Sequence, residues 1–124
     1  MTNYLTKYAR FTTIEEMDAA VELHLSLHMD ELTKSDRQVL DVIRRFSMEH
    51  GAAQLNHGTI QAAIGKANVT VRRAIRKFVN LHIIEKVHYI IPETGGLGAN
   101  IYVILPFNDK WKMNNQESKE EELQ

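Results

Sequence analysis

The sequence predicts a small, mainly helical α+β domain, and three observations lead there. Apolar residues recur at helical spacing in four separate stretches before residue 82. Two β-branched runs then follow, 83–91 and 101–105, separated by Pro92-Glu93-Thr94-Gly95-Gly96-Leu97-Gly98, a glycine-rich turn region. The length, 124 residues, closes a single core and leaves little room for a two-domain enzyme with a cleft between its halves.

The elements follow in order. Residues 1–12 hold Tyr4, Leu5, Tyr8 and Phe11 beside Lys7 and Arg10, an arm with something to bury. Thr13-Ile14-Glu15-Glu16 fits a capping box, in which threonine and glutamate satisfy orphan amides at a helix start. Met17, Ala20, Val21, His24, Leu25 and His28 continue at helical spacing, so a helix is expected over 14–31. Ser35 with Gln38 is a second capping-box candidate, followed by Val39, Leu40, Ile43, Phe46 and Ser47 on one face. Gly51 is placed to end that helix in a left-handed conformation. Ala52-Ala53-Gln54-Leu55 reads as an extended stub, and Asn56 as the cap of a short helix over 57–64 with Ile60, Ala63 and Ile64 inward. Gly65 breaks it. A further helix is expected over 69–81, with Val71, Ala74, Ile75 and Phe78 on its apolar stripe. The tail beyond Asn108 is polar, with Trp111 placed to pin its start to the body.

Helix, short strand, two helices joined by a glycine turn, and a hairpin together describe a winged helix-turn-helix with an N-terminal helical extension and a two-stranded wing. Charge is distributed to match. Lys+Arg 15 against Asp+Glu 16 gives a net charge of -1, which on its face argues against a nucleic-acid role. Yet residues 14–31 carry six acidic residues and no Lys or Arg, while 66–86 carry six basic residues against Glu85 alone. On a wheel of ~100° per residue, Val69, Arg72, Arg73, Arg76 and Asn80 lie opposite the apolar stripe, with Lys66 and Lys77 on the flank. A DNA major groove accepts one α-helix, and arginine reads guanine there in bidentate fashion. Asn68 suits an adenine edge or a phosphate, Val69 a thymine methyl, and Thr70 with the adjacent amides a phosphate.

The stretch Thr59-Ile60-Gln61-Ala62-Ala63-Ile64-Gly65-Lys66-Ala67-Asn68-Val69-Thr70-Val71-Arg72-Arg73-Ala74-Ile75 resembles the helix-turn-helix of bacterial winged-helix regulators. His82-Ile83-Ile84-Glu85-Lys86 looks like the exit into the wing of GntR-like groups. Gly95-Gly96-Leu97-Gly98-Ala99-Asn100-Ile101-Tyr102 is similar to the wing return of small winged-helix proteins from Firmicutes plasmids and phages. The resemblance spans roughly residues 33–105 and implies double-stranded DNA as partner, with Gly95, Gly96, Gly98 and Asn100 as wing residues. Two departures stand out. Ala67 occupies the position of the usual serine cap, and the wing tip carries Glu93 and glycines where phosphate-gripping wings carry Arg or Lys.

Other classes are disfavoured. No cysteine is present, so disulfide scaffolds, thiolate zinc sites and cysteine nucleophiles are excluded. His24 and His28 have zinc-compatible spacing, but two ligands do not make a site, and no metal is expected. Glu15-Glu16 and Glu120-Glu121-Glu122 read as solvated runs, and no Ser-His-Asp ordering stands out, so neither catalysis nor a cofactor is expected. The Gly95–Gly98 loop lacks a Lys-Ser/Thr finish and precedes a strand, unlike a nucleotide-binding loop. No apolar run approaches membrane-spanning length and no secretory signal opens the chain, so a cytoplasmic, nucleoid- or plasmid-associated location is expected.

The expected organisation is an arm and acidic helix over 1–32 for packing and dimerisation, a DNA-binding domain over 33–107 and a polar tail over 108–124. The expected role is a homodimeric transcriptional regulator with helix 69–81 in the major groove and no small-molecule ligand. Two alternatives remain open: a plasmid or phage replication or segregation accessory binding repeated sites, and a winged-helix protein-interaction module.

Overall fold

A computed structural model of the chain describes residues 3–107, so Trp111 and the 108–124 tail lie outside the described residues. A short 3-10 turn, Tyr4–Tyr8, leads to α1 (Ile14–Leu27) and α2 (Lys34–Ser47). Then come β1 (Ala53–Gln54), α3 (His57–Ile64), α4 (Asn68–Asn80), β2 (Ile84–Val87) and β3 (Ile101–Ile104). The strands form one antiparallel sheet in the order β1-β3-β2. This is a small α+β arrangement compatible with a winged-helix-like fold.

Hydrogen bonds set the helix limits. Thr13 caps α1 by accepting from the Glu16 amide, but the Glu16 carboxylate reaches Thr12, not the Thr13 amide that a closed capping box requires. The helix stops at Leu27, earlier than the expected 31, because residues 28–31 fold into a turn closed by Leu32 N–H on the His28 carbonyl. The capping box of α2 is Thr33 with Asp36, not Ser35 with Gln38. Phe46, expected inward, is half-exposed in the last turn of α2, while Val42 is buried. Ser47 is also buried, and returns its hydroxyl to the Ile43 carbonyl at 2.7 Å. Ala63, expected inward on α3, is exposed, and Ile60 alone of that helix is fully buried.

The extended stub at 52–55 is a true strand. Ala53 and Gln54 pair with Tyr102 and Ile101, so a sheet expected to have two strands has three. Ladder pairing in β2 ends at Val87, well before residue 91, and the outer hairpin is held by the bridge Ile90↔Leu97.

Side chains of β3 alternate between two cores, as the period of two requires. Tyr102 and Ile104 join Ile84 against Val39, Leu40, Ile43, Ile60, Val71, Ala74, Ile75 and Phe78 of the helices. Ile101 and Val103 face the other way, where Leu5 of the N-terminal turn covers them together with Tyr8 and Tyr89. Tyr4 stacks on Tyr89, ring centroids 5.2 Å apart, and its hydroxyl bonds Gln54. The arm therefore packs on its own sheet. Gly51 permits this: its φ is +85°, and a Cβ there would sit 2.4 Å from the Ala9 Cβ. Among the described residues no helix is long and apolar enough to cross a membrane.

Candidate nucleic-acid interface

The unit α3–turn–α4 presents the basic residues. Asn56 caps α3 through the Thr59 amide at 2.9 Å. Gly65 closes α3 in the left-handed region, φ 67°, with its amide on the Gln61 carbonyl at 2.8 Å. That reversal turns the chain directly into α4. Ala67 is the cap residue of α4 and supplies no side-chain bond. Asn68 does not take over as cap: it is the first helical residue, one position ahead of the expected 69, and donates its amide to Gln61 Oε1 at 3.2 Å. It thus braces the turn between the two helices.

Two faces of α4 separate cleanly. Val71, Ala74, Ile75 and Phe78 are buried. Arg72, Arg73, Arg76 and Asn80 are exposed on the opposite side, Val69 among them at 40%. Lys66 is exposed in the turn, and Thr70 is half-buried. Among the described residues, Arg72, Arg73 and Arg76 make no ion pair and no side-chain hydrogen bond, whereas Arg44 and Arg45 of α2 both pair with Asp41.

Lys77 departs from the expected arrangement. Its ammonium lies 2.6 Å from Asp36 Oδ2 and 3.0 Å from the Glu31 carbonyl. The same Asp36 oxygen accepts the Thr33 amide at 2.9 Å. The charge of Lys77 is therefore neutralised against the start of α2, and Asp36 ties the capping box of one helix to the next. Sequence reasoning missed this contact because Asp36 and Lys77 are 41 positions apart.

A cleft opens on the other flank of α4, lined among others by His57, Arg72, Arg76, Asn80, Lys86 and Asn100. Burial pushes the His57 pKa below its ordinary value, and the positive charges of Lys86 and Arg72 push it the same way. His57 and Lys86 were not singled out as binding residues from the sequence. The first is merely the opening residue of α3, and the second reaches the cleft only through the register that sets Lys86 opposite Tyr102.

The hairpin contributes shape more than charge. Gly95 adopts φ 72° with its amide on the Ile91 carbonyl, and the Gly96 amide bonds Thr94 Oγ1. A Cβ at Gly98 would lie 2.8 Å from the Tyr89 ring. Asn100 lines the cleft. The hairpin tip exposes Ile90 and Leu97, and no Lys or Arg occurs between Lys86 and Lys110.

His24 of α1 and His28, the residue just after that helix, are structural in their contacts. His24 is buried, and its Nε2 donates to the Leu105 carbonyl at 2.8 Å, joining α1 to the exit of β3. Burial pushes its pKa down, the Leu105 carbonyl opposes this, and His28 adds to it. His28 pairs through Nδ1 with Glu31. No group of three or more His, Asp or Glu side chains among the described residues is arranged to hold a metal ion. Asp18 on the acidic helix bonds Arg44 at 3.1 Å, while Glu15 and Glu22 remain exposed.

Fold and surface together define a small α+β domain that presents one basic helix face. No protein family, curated protein or solved structure matches the chain in comparison, so the functional reading rests on this geometry.

Proposed function

We propose that the chain is a winged helix-turn-helix protein that binds double-stranded DNA in a sequence-specific manner. Helix α4 enters the major groove, and the protein acts as a homodimeric transcriptional regulator. The observation that carries the reading is the outer face of α4, where Arg72, Arg73 and Arg76 stand exposed, and unpaired among the described residues, beside Val69 and Asn80. Unpaired like charges on one helix face repel, and a polyanion relieves that repulsion. The α3–turn–α4 geometry supports the reading, since a second helix held across a tight turn is the element such proteins present to the groove. Lys66 and Thr70 sit where phosphates flank that groove, and Asn68 serves the interface by fixing the turn. Lys77 is left out, because its ammonium is engaged by Asp36.

A salt titration tests the proposal. The logarithm of affinity for a duplex falls linearly with the logarithm of salt, with a slope of about -0.9 per phosphate contact. Failure to bind any duplex at ~50 mM salt overturns the DNA reading and leaves the protein-interaction module. Selection of bound genomic fragments then reads the symmetry of the site: paired half-sites about one DNA turn apart (~34–36 Å) mark a dimeric regulator, and long repeated arrays mark a replication or segregation accessory.

A further inference from the structure

We propose that the cleft between the start of α3, the flank of α4 and β2 seats one phosphodiester of bound duplex DNA, and that His57 takes up a proton as it does so. This rests on the DNA-binding reading and adds a specific consequence to it: affinity coupled to pH through one residue.

Positively charged groups reach the cleft from two elements, Arg72 and Arg76 from α4 and Lys86 from β2, and α3 adds the titratable His57. Asn80 and Asn100 add neutral amides, and among the described residues no carboxylate lines it. Among the described residues Arg72, Arg76 and Lys86 have no ion-pair partner, so their fields add without compensation. A single anion there relieves all of them at once.

Tyr102, buried against the helices, lies opposite Lys86 in the β2–β3 ladder, and directly opposed residues point to the same face, so Lys86 lies on the helix side of the sheet, toward α4. The cleft also borders the exposed arginine face, where a backbone phosphate lies when α4 occupies a groove.

Proton coupling follows from the charges. His57 faces Lys86 on β2 and Arg72 and Arg76 on α4, all positive, and Asn100 ahead of β3, which is neutral. Burial and the Lys86 and Arg72 charges favour the neutral ring in the free protein. An entering phosphodiester sets a negative charge beside the ring, offsets part of that positive field and favours the imidazolium. The phosphodiester holds a constant single negative charge across neutral pH, so the titrating group belongs to the protein. Binding that takes up a proton tightens as pH falls.

The test uses the full chain and a mixed-sequence duplex of about 20 base pairs, because phosphate contacts do not require a particular sequence. Affinity is measured at about pH 8 and about pH 6, with a limit of tenfold for each unit by which the His57 pKa rises on binding. The expected result is tightening of at least about fivefold toward the lower pH. His57→Gln abolishes most of that gain. Lys86→Gln weakens binding at both pH values and reduces the salt slope by about one phosphate contact. The His57 ring-proton resonance titrates to higher pH when duplex is added. Inorganic phosphate in place of duplex leaves that midpoint unmoved; an equal shift with phosphate alone overturns the assignment to the DNA backbone. Binding that is independent of pH, or a pH dependence that survives in His57→Gln, overturns the proposal and leaves the DNA-binding reading in place. Absence of duplex binding at both pH values overturns both.

Discussion

Replacing Asp36 by alanine is expected to lower stability more than removal of any other single carboxylate among the described residues. The side chain is 6% exposed, and one of its oxygens receives both the Lys77 ammonium and the Thr33 amide. Loss of the capping contact costs about 1 kcal/mol, the usual scale for a helix start. Loss of the partner for Lys77 adds a charge-assisted hydrogen bond of about 1.5–3 kcal/mol before discounting. Because the Lys77 side chain is 34% exposed, its ammonium regains water in the variant, which lowers that figure. The sum is about 2–3 kcal/mol, a fall in Tm of about 8–12 °C for a domain of this size. Urea unfolding of wild type, Asp36→Ala, Lys77→Met and the double variant measures it, and a coupling energy of about 1–2 kcal/mol is expected between the two positions. A loss under ~0.5 kcal/mol for Asp36→Ala, or no coupling, would refute the bridge. The same lysine separates stability from the proposed binding: Lys77→Met is expected to leave the salt dependence of duplex binding unchanged, since its ammonium is engaged by Asp36.

Arg73→Ala and Arg76→Ala are each expected to weaken duplex binding by about 1–3 kcal/mol, while Arg45→Ala, on an exposed α2 arginine paired with Asp41, changes it within about twofold; equal losses in competition binding mean that the wrong face was chosen. Arg44 is a poorer control, because it joins Asp18 of α1 to α2 and its loss disturbs packing. His24 has a folded pKa below its ordinary 6.5, so the unfolded chain binds the proton first and stability declines as pH falls below about 6.5. His24→Gln, which keeps a donor for the Leu105 carbonyl, flattens that acid limb in thermal melts at graded pH; an unaltered limb assigns it elsewhere. Gly51→Ala places a side chain at φ +85° and against Ala9, and denaturant unfolding is expected to register more than ~2 kcal/mol of lost stability. A smaller loss means that the N-terminal turn is not anchored there.

Much of the fold was legible because its signals are local. The apolar stripe of α4 repeats with helical period and its buried set is the expected one, Val71, Ala74, Ile75 and Phe78. Asn56 caps α3 and Gly65 ends it, as expected, and Gly51 takes the expected left-handed conformation, although α2 has already ended at Ser47 with Met48 as its C-cap. Phe46 and Ala63 were misplaced because periodicity places a residue on a face but does not say whether a neighbour covers it. The α2 cap was misplaced by two positions for a related reason: Thr33 and Ser35 are both competent caps, and the Asp36 carboxylate, held by Lys77 from across the fold, favours Thr33.

The sequence by itself determined the helices, the turn between α3 and α4, the hairpin and the segregation of charge into an acidic stretch and a basic one. These depend on side-chain size, backbone preference and periodicity within a few residues of one another. Only the tertiary structure decided that Ala53–Gln54 completes a three-stranded sheet, that the N-terminal turn covers that sheet's outer face, and that Lys77 turns inward to Asp36. It alone brought His57 and Lys86 beside the α4 arginines. Those outcomes depend on strand register and on contacts between residues tens of positions apart. Which charges end up paired, and which remain open to a partner, is settled only when the chain closes on itself.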